Sequence, residues 1–299
     1  STYIFEQWLG EERAKSPLFQ RLKRTRLYPY LLAAAYTTLL GHRVKELAPK
    51  IASVRPDAIV TVAYGRNAFV AQRIAKRMKL PLVTFFHDWW PDLVFCSTPK
   101  TRCWMDKKIR ALAKDSDLLL SVSDELLEEL EPHTRATVLL PIPANPSLLP
   151  NSPHNGIQQD PKLPVLVYCG TLEGDYGAMI RAIGYKLLSE SNPTWSLRFY
   201  GRAADWSEKD RLLFSEAGLY GGDFNQGDER NQTLTNADAL LVVMDFEEKY
   251  RRRARTSFPS KILDYAPFGK PMVIWGPKYC TAVVFAKQKK AAHVVENLH

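Results

Sequence analysis

One segment near the carboxyl end, residues 256–274, has the residue types of a phosphate and hydroxyl site. Its pattern is typical of a loop, a short helix, a Gly-Lys-Pro turn and a strand. Ser257 or Ser260 is placed to cap the helix, and Pro259 suits its first turn. Because the amino end of a helix presents free N–H groups and a partial positive charge, the sequence predicts an anion site there.

Charged side chains surround this predicted helix. Lys261 lies inside it, and a predicted loop just upstream contains four arginines: Arg251, Arg252, Arg253 and Arg255. Asp264 follows about one turn after the helix start, where its carboxylate can accept hydrogen bonds from sugar hydroxyls. Phosphate and hydroxyl recognition together indicate a nucleotide-sugar ligand. The alternatives are a solvated charge run for the arginines and, for Asp264, an acid that only favours the helix dipole.

Apolar strands alternate with amphipathic helices along most of the chain, which predicts an α/β protein. The predicted strands of the first half are residues 57–63, 80–86 and 116–122. Those of the second half are residues 165–169, 195–200, 239–244 and 271–275. Strand–helix–strand units at this spacing imply parallel pairing. The predicted architecture is therefore two Rossmann-like, doubly wound domains.

A proline-rich span separates the two halves. Seven prolines lie between residues 141 and 164, among asparagine, serine and glutamine residues. Proline removes a backbone donor, so this span cannot form a central strand or a long helix. We therefore predict an amino-terminal domain over residues 1–145 and a carboxyl-terminal domain over residues 146–299.

Four segments, in the expected order, resemble GT-B glycosyltransferases, in particular the large retaining family four. They are His87–Asp92 after a strand, Leu120–Ser123 before a helix, Val165–Leu172, and Ser257–Ile274 with its Pro-Ser-Lys and Gly-Lys-Pro elements. The resemblance covers roughly residues 55–280. It implies two Rossmann-like domains that face a cleft. It also suggests a fold that is incomplete at both ends, because the opening strand and the returning carboxyl-terminal helices of the family have no counterparts.

The resemblance implies a hexosyltransferase that moves a sugar from a nucleotide-diphosphate donor to a glycan or lipid-linked acceptor, with retention and without a bound metal. The nucleotide-diphosphate sugar is then a co-substrate, and no cofactor is expected. The four cysteines are scattered and no His cluster joins them, which favours a reducing, cytoplasmic setting. A net charge of +9 favours anionic partners, including the inner face of a membrane. Nucleic acid is not expected, because no recognition motif is present.

The resemblance places His87 and Asp88, as candidate catalytic residues, near the acceptor or the transferred sugar. The alternative for His87 is a hydrogen bond within its own loop. The neighbouring Trp89 and Trp90 either stack on a sugar or pack in the core. Candidate donor-binding residues follow strand ends or lie in or beside the carboxyl-terminal motif: Gly170, Thr171, Arg202, Arg255, Ser260, Lys261 and Asp264.

The sequence departs from the family pattern in two places. The turn over residues 170–177 has no basic residue where relatives have an Arg and a Lys, so Arg202 and the Arg251–Arg255 segment are expected to replace them. Of the family's two acids, Asp264 matches the second, which in relatives binds the ribose, whereas the first falls on Thr256. These departures leave two rival hypotheses open: a non-catalytic or degenerate GT-B binding protein, and a nucleotide-sugar 2-epimerase.

The apolar segment over residues 27–40 has basic residues on both sides. It is too short to span a membrane, which needs about 20 apolar residues. We predict a core helix of the first domain, with an amphipathic helix on an anionic bilayer as the alternative. The expected location is cytoplasmic, with peripheral association at the inner face of the membrane.

Overall fold

A computed structural model describes residues 25–38, 40–93, 98–139, 163–223 and 228–297. Contacts between Cα atoms divide the chain into two units, Ser1–Leu139 and Leu140–His299. The boundary that the sequence predicts, between residues 145 and 146, lies outside the described residues.

Unit 1 contains a parallel sheet with helices between its strands. Its elements are, in chain order, α1 (Tyr28–Thr37), α2 (Gly41–Ser53), β1 (Ile59–Val62), α3 (Gly65–Met78), β2 (Leu82–Phe86), α4 (Trp90–Leu93), α5 (Pro99–Lys114), β3 (Leu118–Ser121), α6 (Asp124–Leu130) and β4 (Ala136–Val138). The strands pair in the order β1-β2-β3-β4, all parallel. The three strands predicted here are confirmed, whereas β4, with three residues, was not predicted.

The two faces of this sheet differ in burial. Along β2 the side chains of Leu82, Thr84 and Phe86 are buried, and α3 packs against β1 and β2. Val60 and Val62, on the other face of β1, are 70% and 44% exposed. This alternation follows because successive strand residues point to opposite faces.

The apolar segment that begins at residue 27 forms α1. It packs against α3 and α5, which supports the prediction of a core helix. Its residues Ala33 and Thr37 are buried. Within the described ranges, no helix has the length and apolar character needed to cross a bilayer.

Unit 2 contains a five-stranded parallel sheet. Its elements are β5 (Val165–Cys169), α7 (Gly174–Ser189), β6 (Ser196–Tyr200), α8 (Glu208–Glu216), α9 (Asp228–Asn236), β7 (Ala239–Val243), α10 (Arg251–Thr256), α11 (Ser260–Tyr265), β8 (Met272–Trp275), α12 (Thr281–Lys289) and β9 (His293–Val295), with short 3₁₀ turns at Glu248–Tyr250 and Ala266–Phe268. The strand order is β6-β5-β7-β8-β9. The order therefore reverses between β5 and β7, and such a switch point is where open α/β sheets bind ligands, at the carboxyl ends of the strands.

Two local predictions in unit 2 are wrong. The arginine-rich segment is the helix α10, not a loop, because arginine and alanine favour helix and Ala254 and Thr256 are buried in α10. The cap of α11 is Pro259, with no side-chain hydrogen bond, and neither serine caps the helix. The carbonyl of Ser257 instead accepts a hydrogen bond from the Thr281 hydroxyl, which fixes the loop to α12.

A buried tyrosine hydroxyl joins α11 to β5. The hydroxyl of Tyr265 accepts a hydrogen bond from the Cys169 N–H (2.9 Å) and donates one to the Cys169 carbonyl (3.1 Å). Pairing of β5 with β7 involves only Leu166 and Val167, so the hydroxyl satisfies backbone groups beyond the reach of β7. This contact fixes the motif helix at the carboxyl end of β5.

Tyr265→Phe is expected to lower the free energy of unfolding by about 1–3 kcal/mol, because it leaves two buried backbone groups without a partner. Urea denaturation measures the loss. Tyr185→Phe is the matched control, because the Tyr185 hydroxyl binds Asp210 at the surface, where water can replace it. Equal losses in the two variants would contradict the structural role of the Tyr265 hydroxyl.

Candidate functional site

The side chain of Lys261 lies at the centre of the candidate site in unit 2. It extends from α11 over the end of β5, and its Nζ is 5.3 Å from the centroid of the Tyr168 ring. A Cβ at residue 170 would overlap both Cε and Nζ of Lys261. The glycine at this strand end therefore makes room for the ammonium.

The surroundings of Lys261 favour an anionic ligand. Burial lowers the pKa of Lys261, while the nearby Asp264 carboxylate acts in the opposite direction. Burial also raises the pKa of the neighbouring Cys169 thiol to about 12, so the thiol stays neutral at physiological pH. A partly desolvated ammonium attracts a phosphate more strongly than one in water does.

Arg230, on α9, contributes a second positive charge. Its Nη2 is 3.8 Å from Oδ2 of Asp264, and it also affects the pKa of Lys261 and of Cys169 through its charge. Arg230 could not be predicted from the sequence, because only the packing of α9 brings it to the motif helix. Two cations and one carboxylate thus lie near the end of β5, with a net charge of +1.

Four other predicted donor-binding residues are not gathered around the Lys261 ammonium as Gly170 is. Thr171 and Ser260 are exposed, and Thr171 offers its carbonyl to the Tyr168 hydroxyl. Arg202 is 75% exposed and pairs with Glu173 at 3.3 Å. Arg255 is half-buried in α10 rather than in a loop. Of the predicted set, the structure brings Gly170, Lys261 and Asp264 together.

The turn after β5 has an acidic neighbour. The N–H of Gly174, at the start of α7, donates to the Asp205 carboxylate at 2.8 Å. Glu173 pairs with Arg202, and Asp175 lies in the first turn of α7. An anionic ligand is therefore better matched by Lys261 than by the amino end of α7.

Charged groups also lie on the other side of the switch point, beyond the end of β7. Asp245 is 2% exposed, and its Oδ2 is 3.7 Å from Nη2 of Arg253. Arg251 pairs with Glu248 and stacks over the Tyr279 ring, with 4.5 Å to its centroid. Acids and aromatic rings thus hold two of the arginines of α10.

His87 and Asp88 lie together after β2 in unit 1. Nε2 of His87 is 3.5 Å from Oδ2 of Asp88, and the two side chains are 35% and 29% exposed. The Tyr64 ring, which follows β1, stacks on the imidazole, with 5.7 Å between ring centroids. Tyr64 is 52% exposed. It was not predicted as a site residue, because a single aromatic residue after a strand is no distinctive signal in the sequence.

The two tryptophans after Asp88 belong to the core. Trp89 and Trp90 are 0% and 2% exposed, so neither can stack on a sugar. Nε1 of Trp89 donates to the Asp106 carboxylate at 3.1 Å, and the Arg110 guanidinium lies over its ring. The packing interpretation of the pair is therefore confirmed.

Over residues 25–297, leaving out 39, 94–97, 140–162 and 224–227, no three His, Cys, Asp or Glu side chains form a group that can hold a metal ion. Donor binding without a metal stays a prediction.

Comparison with known proteins gives matches in structure. No family model matches the chain, and no curated protein matches it in sequence. A lipopolysaccharide outer core galactosyltransferase, WaaB, matches with a TM-score of 0.53 at 15% identity, over 85% of this chain and 65% of its own. A trehalose-6-phosphate synthase matches with a TM-score of 0.54 at 14% identity, over 85% of this chain and 66% of its own. TarM matches with a TM-score of 0.53 at 9% identity, over 85% of this chain and 48% of its own.

These structures are GT-B glycosyltransferases. The chain has the GT-B fold. The predicted fold class is thereby confirmed, whereas membership of family four stays a prediction. This GT-B chain spans between 48% and 66% of the length of these three proteins. At such low identity the likeness shows the fold alone.

Proposed function

We propose that this GT-B chain transfers a sugar from a nucleotide-diphosphate donor to a glycan or lipid-linked saccharide. The observation that carries the proposal is the half-buried ammonium of Lys261 at the end of β5, beside the switch point of the unit 2 sheet. Similar structures support it: WaaB is described as a galactosyltransferase, and the trehalose-6-phosphate synthase structure concerns glycosyl transfer with retention.

In the proposed reaction, Lys261 stabilises the leaving diphosphate. Negative charge grows on the phosphate as the bond to the sugar breaks, and a fixed ammonium already faces it. Arg230 adds positive potential and holds the Asp264 carboxylate, 3.8 Å away. As the family resemblance implies, Asp264 accepts hydrogen bonds from the ribose hydroxyls. This assignment uses no metal and no further cofactor.

The transfer step follows the retaining course that the resemblance implies. The acceptor hydroxyl attacks the anomeric carbon on the face from which the diphosphate departs. The bond from that carbon to the phosphate oxygen breaks, the new glycosidic bond forms, and the hydroxyl proton passes to the phosphate. His87 acts on the acceptor or the transferred sugar, and Asp88, 3.5 Å away, orients its ring. No protein nucleophile is required.

The proposed setting is cytoplasmic, with peripheral association at the inner face of a membrane. The support is the net charge of +9, which attracts anionic lipid surfaces. Such a setting suits a lipid-linked acceptor. Salt-sensitive sedimentation with vesicles of anionic lipid, absent for neutral vesicles, tests this part of the proposal.

A degenerate GT-B binding protein is the second candidate. Thr256, where relatives have the first acid, is fully buried, and its hydroxyl donates to the Arg252 carbonyl. The turn after β5 offers acids in place of the usual basic pair. Such a protein would bind the nucleotide but neither hydrolyse nor transfer the sugar.

A thermal-shift screen with EDTA tests the donor site. The ligands are UDP, GDP, ADP and dTDP, together with UDP-glucose, GDP-mannose, ADP-glucose and dTDP-glucose. We expect stabilisation by one nucleotide family, which Lys261→Met and Asp264→Asn weaken. No shift with any nucleotide, in a folded sample, would overturn the donor site. Release of free sugar from the binding donor then separates an enzyme from a degenerate binder.

His87→Ala is expected to reduce sugar transfer roughly tenfold or more, because it removes a positioned side chain near the reacting sugar. Affinity for the nucleoside diphosphate should stay unchanged. Initial rates and nucleotide titrations measure the two quantities. His42→Ala, on an exposed position of α2, is the matched control. A parallel loss of nucleotide affinity in His87→Ala would contradict the assignment.

A further inference from the structure

Asp245 lies just beyond the end of β7, on the far side of the switch point from Gly170 and Lys261. The residue is 2% exposed. Its Oδ1 accepts the N–H of Glu247 at 2.8 Å. Its Oδ2 is buried and has no hydrogen-bond partner among the described residues. An unsatisfied carboxylate oxygen is costly unless a ligand provides a donor.

Arg253 lies close to this oxygen but does not hydrogen-bond to it. Its Nη2 is 3.7 Å from Oδ2 of Asp245, beyond direct hydrogen-bond range. The guanidinium lies over the Tyr250 ring at 4.6 Å and near the Tyr176 ring at 6.0 Å, so aromatic contacts fix its position. Arg253 is 25% exposed, so the pair opens to solvent on its side.

The other charged groups nearby carry a net negative charge, because one lysine lies beside two carboxylates. Lys249 pairs with Glu247 at 2.7 Å and lies 3.8 Å from Asp175. Burial raises the pKa of Asp245, and the negative charges of Asp175 and Glu247 raise it further. The hydrogen bond from the Glu247 N–H and the charge of Arg253 lower this pKa but do not offset the rise. The Asp245 carboxylate is therefore incompletely compensated within the protein.

We propose that a hydroxyl of the donor's sugar bridges Asp245 and Arg253. A hydroxyl both donates and accepts, so it can donate to Oδ2 of Asp245 and accept from the guanidinium of Arg253. This inference rests on the proposed function and deepens it. Lys261, at the end of β5, binds the phosphate, and the Asp245–Arg253 pair, at the end of β7, recognises the sugar. The substrate class is a nucleotide-sugar with a free hydroxyl at the bridging position.

Comparison of a nucleoside diphosphate with its sugar conjugate tests the proposal. Calorimetric titrations use UDP with UDP-glucose, GDP with GDP-mannose, ADP with ADP-glucose, and dTDP with dTDP-glucose. Asp245→Asn is expected to weaken binding of the sugar conjugate about 10-fold or more, which is the effect of one charge-assisted hydrogen bond. The affinity for the free diphosphate should stay unchanged. Arg253→Met should give the same selective loss. Monodeoxy analogues of the sugar then identify the hydroxyl: wild type should bind one of them more weakly, and Asp245→Asn should not discriminate against it.

Glu248→Gln is the matched control, because Glu248 is exposed and pairs with Arg251. It should bind both ligands as wild type does. Binding of the free diphosphate also reports on folding, since a misfolded variant would not bind this ligand either. Equal affinity of Asp245→Asn and wild type for the sugar conjugate, or an equal loss for both ligands, would overturn the sugar site while the phosphate site stands. Absence of any nucleotide binding in wild type would overturn the phosphate site and this inference with it.

Discussion

Lys261→Met is expected to weaken binding of the nucleoside diphosphate by about 100-fold or more. The variant removes a charge-assisted contact from a partly desolvated site, where the attraction between ammonium and phosphate is strong. Methionine has a similar length and can fill the space that the lysine side chain occupies over the Tyr168 ring. Titration in EDTA measures the loss. Lys186→Met, on an exposed position of α7, is the matched control and should bind normally.

The same variant should be more stable than wild type without ligand. Burial lowers the pKa of Lys261, so between that lowered value and about 10.4 the unfolded chain binds more protons than the folded one. The wild-type free energy of unfolding should therefore rise with pH in this window, and the variant should lack that rise. Near neutral pH the variant avoids the cost of burying the charge, so its unfolding midpoint should be higher.

These two expectations together separate a binding residue from a structural one. Replacing a residue that stabilises the fold lowers the stability of the protein. Replacing a residue that serves ligand binding can raise the stability while it lowers the affinity for the ligand. Lower stability of Lys261→Met, with nucleotide affinity retained, would contradict the assignment. Thermal unfolding at several pH values, with and without nucleotide, provides both measurements.

Gly201→Ala is expected to lower the free energy of unfolding of unit 2 by about 3–5 kcal/mol. Gly201 follows β6 with a φ of 140°, and a Cβ there would overlap the carbonyl oxygen of Gly170. The overlap is with backbone, so no side chain can move aside to relieve it. The shift of Gly170 should also displace the ammonium of Lys261 and weaken nucleotide binding.

Gly218→Ala is the control that separates the cost of backbone strain from the cost of the atomic overlap in Gly201→Ala. Its φ is 71°, and a Cβ at this position meets nothing within 4 Å, so only strain of about 1 kcal/mol is expected. Chemical denaturation of both variants measures the difference. Similar losses would show that the approach of Gly201 to Gly170 contributes little to stability.

Much of the fold was predictable because strand and helix periods are local properties of the sequence. The run Val165–Cys169 was predicted as a strand with the bounds that the structure has, since five consecutive apolar residues are bounded by Pro164 and Gly170. The charge run at Arg251–Thr256 predicts a loop, but the segment is a helix because its residues favour that conformation. In that case propensity and partial burial decided the conformation.

The candidate site was predictable only in part. Lys261 and Asp264 are five residues or fewer from the motif's proline and serine, so one short segment identifies them. Arg230, Asp245 and Arg253 come from separate elements, and no spacing along the chain connects their side chains. Arg202, which the strand-end rule favours, turned out to be exposed and paired with Glu173.

The sequence by itself determined the two α/β halves, the parallel strands and the motif helix that provides Lys261, because these depend on period, turn residues and short-range spacing. Only the tertiary structure decided that the ammonium of Lys261 lies over Gly170 and that Arg230 approaches Asp264. It also decided that one oxygen of Asp245 has no hydrogen-bond donor in the described part of the chain. Burial and ion pairing depend on which elements pack together, and those contacts join residues far apart in the chain. The charge environment of a site is therefore set by packing, although the residue types are set by the sequence.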